Sequence, residues 1–86
     1  MTKERINACE GFRLHYQLFA DRNCYTLQCV VYDACGRMTS QYSSELHSMS
    51  AEQSEIFFRL IADNCVFPVH IREILNDCME DWKWIA

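Results

Sequence analysis

The chain is 86 residues long, half of them apolar, with eleven aromatic residues, two glycines and one proline, a balance that excludes a disordered tail and fits one packed domain. A chain this short buries only about 60 to 65% of the surface its unfolded form exposes, so its core is small. The formal net charge of −4 is unevenly placed: residues 1–40 hold five Lys and Arg against four Asp and Glu, residues 41–86 three against eight, which argues against direct nucleic-acid binding and suits a basic protein partner.

Residues 1–9 are polar and are expected to form a loose segment ahead of a single α+β domain over residues 10–86. Phe12, Leu14, Tyr16, Leu18 and Ala20 then alternate with Arg13, His15 and Gln17, the period of a half-buried strand. Asp21, Arg22 and Asn23 break the pattern, and Asn23 tolerates the left-handed backbone of a short hairpin loop. A second strand runs from about Cys24 to Asp33, with Tyr25, Leu27, Cys29 and Val31 on one side and Thr26, Gln28, Val30 and Tyr32 on the other. Ala34, Cys35, Gly36 and Arg37 form a turn in which Gly36 supplies positive φ. A third, serine-rich alternation over residues 38–47 reads as an edge strand.

Two helices follow. Ser50 and Gln53 have the Ser-x-x-Gln spacing of a capping box. Ile56, Phe57, Leu60 and Ile61 make the core stripe of this helix, Phe58 falls off it, and Glu55, Arg59 and Asp63 are expected to face water. Asn64 suits a C-terminal stop. Cys65, Val66 and Phe67 form an apolar connector into Pro68, which fits a first helical turn. From there to Ile85, Ile71, Ile74, Leu75, Cys78, Trp82 and Ile85 recur at three- and four-residue steps.

A three-stranded antiparallel meander followed by two helices is expected to lay both helices on one sheet face. The predicted core holds Leu14, Tyr16, Leu18, Leu27, Cys29, Val31, Leu46, Ile56, Leu60, Ile61, Ile71, Ile74, Leu75, Cys78 and Trp82. The opposite face, with Phe19, Val30 and Tyr32, is left for solvent or another chain. Trp84, two residues beyond Trp82, points some 200° away on a helix and is a candidate interface anchor with Phe58.

Residues 1–11 lack the apolar run of a signal peptide, and no apolar stretch approaches the ~20 residues of a membrane span. The expectation is a cytoplasmic protein with six reduced cysteines, none in a CxxC pair. His70, Glu73 and Asp77 share a helix face at three- and four-residue spacing, yet a structural zinc site wants four ligands, so no metal or cofactor is assigned. Cys24, Cys29 or Cys35 with His15 or His47 is the sharpest enzymatic idea. No local marker lowers a thiol pKa there, and a buried cysteine is by default a small hydrophobe. No phosphate loop, GxSxG or HExxH is present.

The run from Asn64 to Asp77, with Val66-Phe67-Pro68-Val69-His70-Ile71 as its most specific part, resembles a family of small, uncharacterised proteins of Gram-positive bacteria. The resemblance covers residues 12–82 and implies no activity, since that family has none assigned. It also shows a departure: the family favours glycine after the tyrosine of the second strand, where this chain has Thr26. The resulting expectation is a non-catalytic protein–protein interaction module, able to form a homodimer or to bind a larger protein. Its candidate contact residues are Phe19, Val30, Tyr32, Phe58, Glu73, Asp77, Glu80, Asp81 and Trp84. The alternatives are an anti-CRISPR-like inhibitor from a phage or mobile element, blocking a basic nucleic-acid groove with its acidic surface, and a thiol-dependent enzyme or redox sensor.

Overall fold

The computed structural model describes residues 2–20, 24–46 and 49–80. Thr2–Cys9 (β1), expected to be loose, is a strand. It pairs antiparallel with Phe12–Ala20 (β2), which pairs with Tyr25–Tyr32 (β3), which pairs with Met38–Leu46 (β4), so the sheet has four strands in the order β1-β2-β3-β4 and not three. Ala51–Asp63 (α1) and Pro68–Glu80 (α2) follow the sheet, as the α+β reading expected.

Glu10 and Gly11 close the first hairpin between the paired residues Cys9 and Phe12, with φ of 51° and 85°. Two positive-φ residues in a two-residue loop make the turn whose twist matches the flanking strands. The β3–β4 turn is held by Asp33, whose carboxylate accepts from the backbone N–H groups of Cys35 and Arg37, both at 2.9 Å. Gly36 takes a φ of 81° there. β4 is an edge strand as expected, and a bulge opposite Val31 and Tyr32 shifts its register, a device that bends an edge out of the flat form in which it would recruit another strand.

The register decides the faces, because directly opposed residues share a side. Leu14, Tyr16 and Leu18 of β2 oppose Val31, Cys29 and Leu27 of β3, and all six are buried. α1 lies against β2 and β3, and α2 against β3 and β4. Both helices therefore cover this one side.

α1 opens on the expected capping box: Ser50 Oγ accepts from the Gln53 N–H at 3.1 Å, and the Ser50 N–H donates to Gln53 Oε1 at 3.0 Å. Its buried arc is Ser54, Phe57, Phe58, Ile61 and Ala62, at the three- and four-residue spacing of one helix face. Phe58, placed off the stripe by its sequence position, is thus a core residue with 3% exposure. The buried arc is centred about one residue further along than the large apolar side chains suggest, because small Ser54 and Ala62 complete it. Ile56 and Leu60 sit half-buried at its flank. Met49 also joins the core.

α1 ends in a Schellman arrangement: the Val66 N–H donates to the Ile61 carbonyl and the Cys65 N–H to the Ala62 carbonyl, past the C-cap Asn64. In α2, Pro68, Ile71 and Leu75 are buried and Ile74 is half-buried. Cys78 and Glu80 by their side chains, and Asp21, Arg22, Asn23, His47, Asp81, Trp82, Trp84 and Ile85 altogether, lie outside the described residues.

Candidate interaction surface

β1 determines how the two sides of the sheet differ. Lys3, Arg5, Asn7 and Cys9 oppose Leu18, Tyr16, Leu14 and Phe12 and so share the helix-covered side. Lys3 Nζ reaches Glu55 Oε1 at 3.0 Å, Arg5 pairs with Asp63, and the Asn7 amide donates to the Ala62 carbonyl. α1 is thereby fastened at its outer margin by polar contacts. Glu55 and Asp63, expected to face water, are ion-paired to β1, and part of the acidic surplus of the helical half is balanced by the basic first strand.

The opposite side is left without a covering element among the described residues. It carries Ile6 and Ala8 of β1, His15 and Phe19 of β2, Val30 and Tyr32 of β3, and Met38 of β4. Ile6 and Met38 are 57% and 56% exposed. Phe19 and Tyr32 are half-buried. Val30, at 8% exposure, lies beneath its neighbours, so it underlies this face more than it presents it. Glu4 draws His15 Nε2 to 3.2 Å and accepts from Gln17 Nε2 at 3.1 Å. The His15 approach is off-line for the ring N–H, and the Gln17 bond, then His15, holds the Glu4 carboxyl below its usual value.

Of the nine predicted contact residues, Phe19, Val30 and Tyr32 share the uncovered face, with Phe19 opposite Thr26 towards one end of it and Tyr32 opposite Arg13 at the other. Phe58 is withdrawn from any surface role by burial in the core. Glu73 and Asp77 are exposed on α2, away from the uncovered face, and the Glu80 side chain, Asp81 and Trp84 lie outside the described residues. Ile6 and Met38 were missed. Ile6 sits in the segment read as loose, and Met38 is an isolated methionine beside a turn; the signal for both is the strand pairing around Glu10-Gly11 and Gly36.

Where the two hairpin turns meet at one end of the sheet, an open cleft of 450 Å³ forms, with Phe12, Arg13, Tyr32 and Cys35 among its lining residues. It is lined by a sulfur but by no imidazole. The Cys29–His15 pairing is excluded by register: Cys29 opposes Tyr16, whereas His15 opposes Val30 on the other side. Burial pushes the Cys29 thiol up to about 12, which keeps it protonated and inert at neutral pH. His70 Nδ1 stands 3.8 Å from Glu73 Oε2 in open solvent, and among the described residues no group of three or more His, Cys, Asp and Glu could hold a metal ion. No helix among them is long and apolar enough to cross a membrane. No protein-family model, curated protein or solved structure matches the chain.

Proposed function

We propose that this chain is a small non-catalytic binding module that contacts another protein chain through the uncovered side of its sheet. The observation that carries this reading is the pair Ile6 and Met38, more than half exposed on a face flanked by Phe19 and Tyr32 while both helices occupy the other side. Ile6 lies on β1 and Met38 on β4, the two edge strands, so an occupant touching both spans the width of this face, and apolar side chains set among polar ones are the composition of an interface. A cytoplasmic setting and kinship with the small Gram-positive family belong to the same proposal, and neither adds an activity. The inhibitor reading, in which acidic helices enter a basic groove, draws less support, since Glu55 and Asp63 are already paired with Lys3 and Arg5.

The test is a double variant, Ile6→Glu with Met38→Glu, at two exposed positions where folding should be little affected. Light scattering over a wide concentration range compares the mass with that of one 10.2 kDa chain, and affinity capture from the host compares wild type with variant. The expected result is an assembly, with itself or with one captured protein, that the variant loses while keeping the wild-type melting temperature. A wild-type chain that stays monomeric and captures nothing the variant fails to capture would refute the proposal. Capture that survives both substitutions but is lost in high salt would favour the acidic surface instead.

A further inference from the structure

Cys9 ends β1, and Cys65 sits in the connector between α1 and α2, 56 positions away in sequence. Contacts on both sides bring them together. Asn7, two residues before Cys9, donates to the Ala62 carbonyl. Phe12, the strand partner of Cys9, meets Phe67 edge to face with ring centres 5.7 Å apart. Between these, the Tyr16 hydroxyl donates to the Val66 carbonyl at 2.8 Å. Cys9 is thus flanked by ties to residues 62 and 67, which place Cys65 on the segment packed against it.

The backbone at Cys65 adds an independent observation. Its φ is 50°, at the helix-terminating position that glycine ordinarily fills because a Cβ is strained there. A residue chosen for conformation alone would be glycine. A strained side chain at such a position points to a use for that side chain. Both cysteines are half-buried and unbridged. Burial first, and then the adjacent Cys65, raise the Cys9 thiol above its usual value. The nucleophile in thiol oxidation is the thiolate, formed when one of the two thiols gives up its proton.

We propose that Cys9 and Cys65 are a reversible oxidation site, forming an intramolecular disulfide when the protein meets a hydroperoxide. The thiolate sulfur attacks one peroxide oxygen, the O–O bond breaks, and the departing hydroxide leaves as water after taking the proton of the pair's ionisation. The second thiol then attacks the resulting sulfenic sulfur, the S–O bond breaks, and a second water leaves. In sum, two thiols and one hydrogen peroxide give one disulfide and two waters, the sulfurs being oxidised and the peroxide reduced. Bond formation is expected to leave the tethers on either side of each cysteine in place. The disulfide clamps the β1–β2 hairpin to the helix connector.

The purified full-length chain is exposed to limiting hydrogen peroxide, alkylated, and mapped by mass spectrometry without reduction. Expected are a first disulfide linking Cys9 to Cys65, a fall in alkylatable thiols from six to four, and a melting temperature higher by roughly 10 °C or more, because the bond closes a long loop in a small domain. Reductant reverses all three. Cys65→Gly relieves the positive-φ strain, so the reduced variant melts no lower than wild type, and it loses the oxidation-dependent gain; Cys9→Ser also loses that gain. A first disulfide through Cys24 or Cys35, no intramolecular bond, or a gain that survives Cys65→Gly or Cys9→Ser overturns the proposal.

Discussion

Tyr16→Phe isolates the contact that ties the centre of the sheet to the helix connector. The Tyr16 ring is fully buried, and its hydroxyl donates to the Val66 carbonyl at 2.8 Å. Phenylalanine keeps the ring and its packing, so the change removes one buried hydrogen bond and weakens the satisfaction of a main-chain acceptor, a loss of about 1 to 2 kcal/mol. For a domain of this size that lowers the melting temperature by roughly 5 to 15 °C. Urea titration should move the midpoint without changing the slope, since the surface exposed on unfolding is the same. A second readout comes from alkali. Burial, and then the nearby Cys29, Cys65 and Cys9 thiols, hold the Tyr16 phenol well above its ordinary value of 10. An acid whose folded pKa is raised contributes stability that is fully present below the unfolded value and is lost as pH rises through the folded one. The gap between wild type and Tyr16→Phe should therefore narrow above pH 10. A variant as stable as wild type at pH 7, or a gap that stays constant through the alkaline range, would refute the reasoning.

Two further substitutions test one polar group within α1 and one on the uncovered side of the sheet. Ser54 Oγ is buried with no hydrogen-bond partner, so Ser54→Ala should raise stability by about 0.5 to 2 kcal/mol in urea titration, helped by alanine's better helix propensity; a clear destabilisation would show that the hydroxyl is satisfied in solution. Glu4 is held below its ordinary carboxyl value of 4.5 by Gln17 and then His15. Its contribution is present above that value and fades as pH falls from it through the folded pKa. Glu4→Gln should accordingly flatten the acid limb of melting temperature against pH below about 4.5, a region where carboxylates dominate acid unfolding. Superimposable acid limbs would count against the Glu4 contacts.

How far the fold was legible depended on whether large apolar side chains marked the buried side. They do in β2 and β3, where Leu14, Tyr16, Leu18, Leu27, Cys29 and Val31 alternate cleanly and all are buried. They also do in α2, through Ile71 and Leu75. β1 inverts the code: its helix-facing positions are Lys3, Arg5, Asn7 and Cys9, and its outward positions include Ile6 and Ala8. A strand that meets a helix margin through ion pairs and an amide bond has no apolar stripe to announce it. Its remaining signal was the Glu10-Gly11 pair, one step from the favoured two-residue hairpin loops. Phe58 was misplaced for a related reason, since the small residues Ser54 and Ala62 that define its side of α1 carry little weight in an apolar count. Of the candidate surface, Phe19 and Tyr32 could be placed by alternation alone, whereas Ile6 and Met38 needed the pairing of the two edge strands to put them on the same face.

The inverted pattern of β1 bears on what the uncovered face is for. Had β1 followed the usual arrangement, its apolar residues would lie under α1 and its charges outside, blunting an edge and wetting the exposed side in the way isolated sheets are protected. Instead the charges of Lys3 and Arg5 are spent on Glu55 and Asp63 beneath the helix margin, and Ile6 is left in solvent. Docking α1 needs no such choice, because Phe57, Phe58 and Ile61 already bury it. The same ion pairs offset the charge of two carboxylates that stay in contact with solvent, which weakens a long-range attraction to a basic partner while leaving the apolar side unchanged. Both consequences move the balance of the surface from charge toward short-range apolar contact. An association carried by Ile6 and Met38 should then be nearly indifferent to ionic strength, whereas one carried by the remaining acids of α2 should weaken as salt screens them.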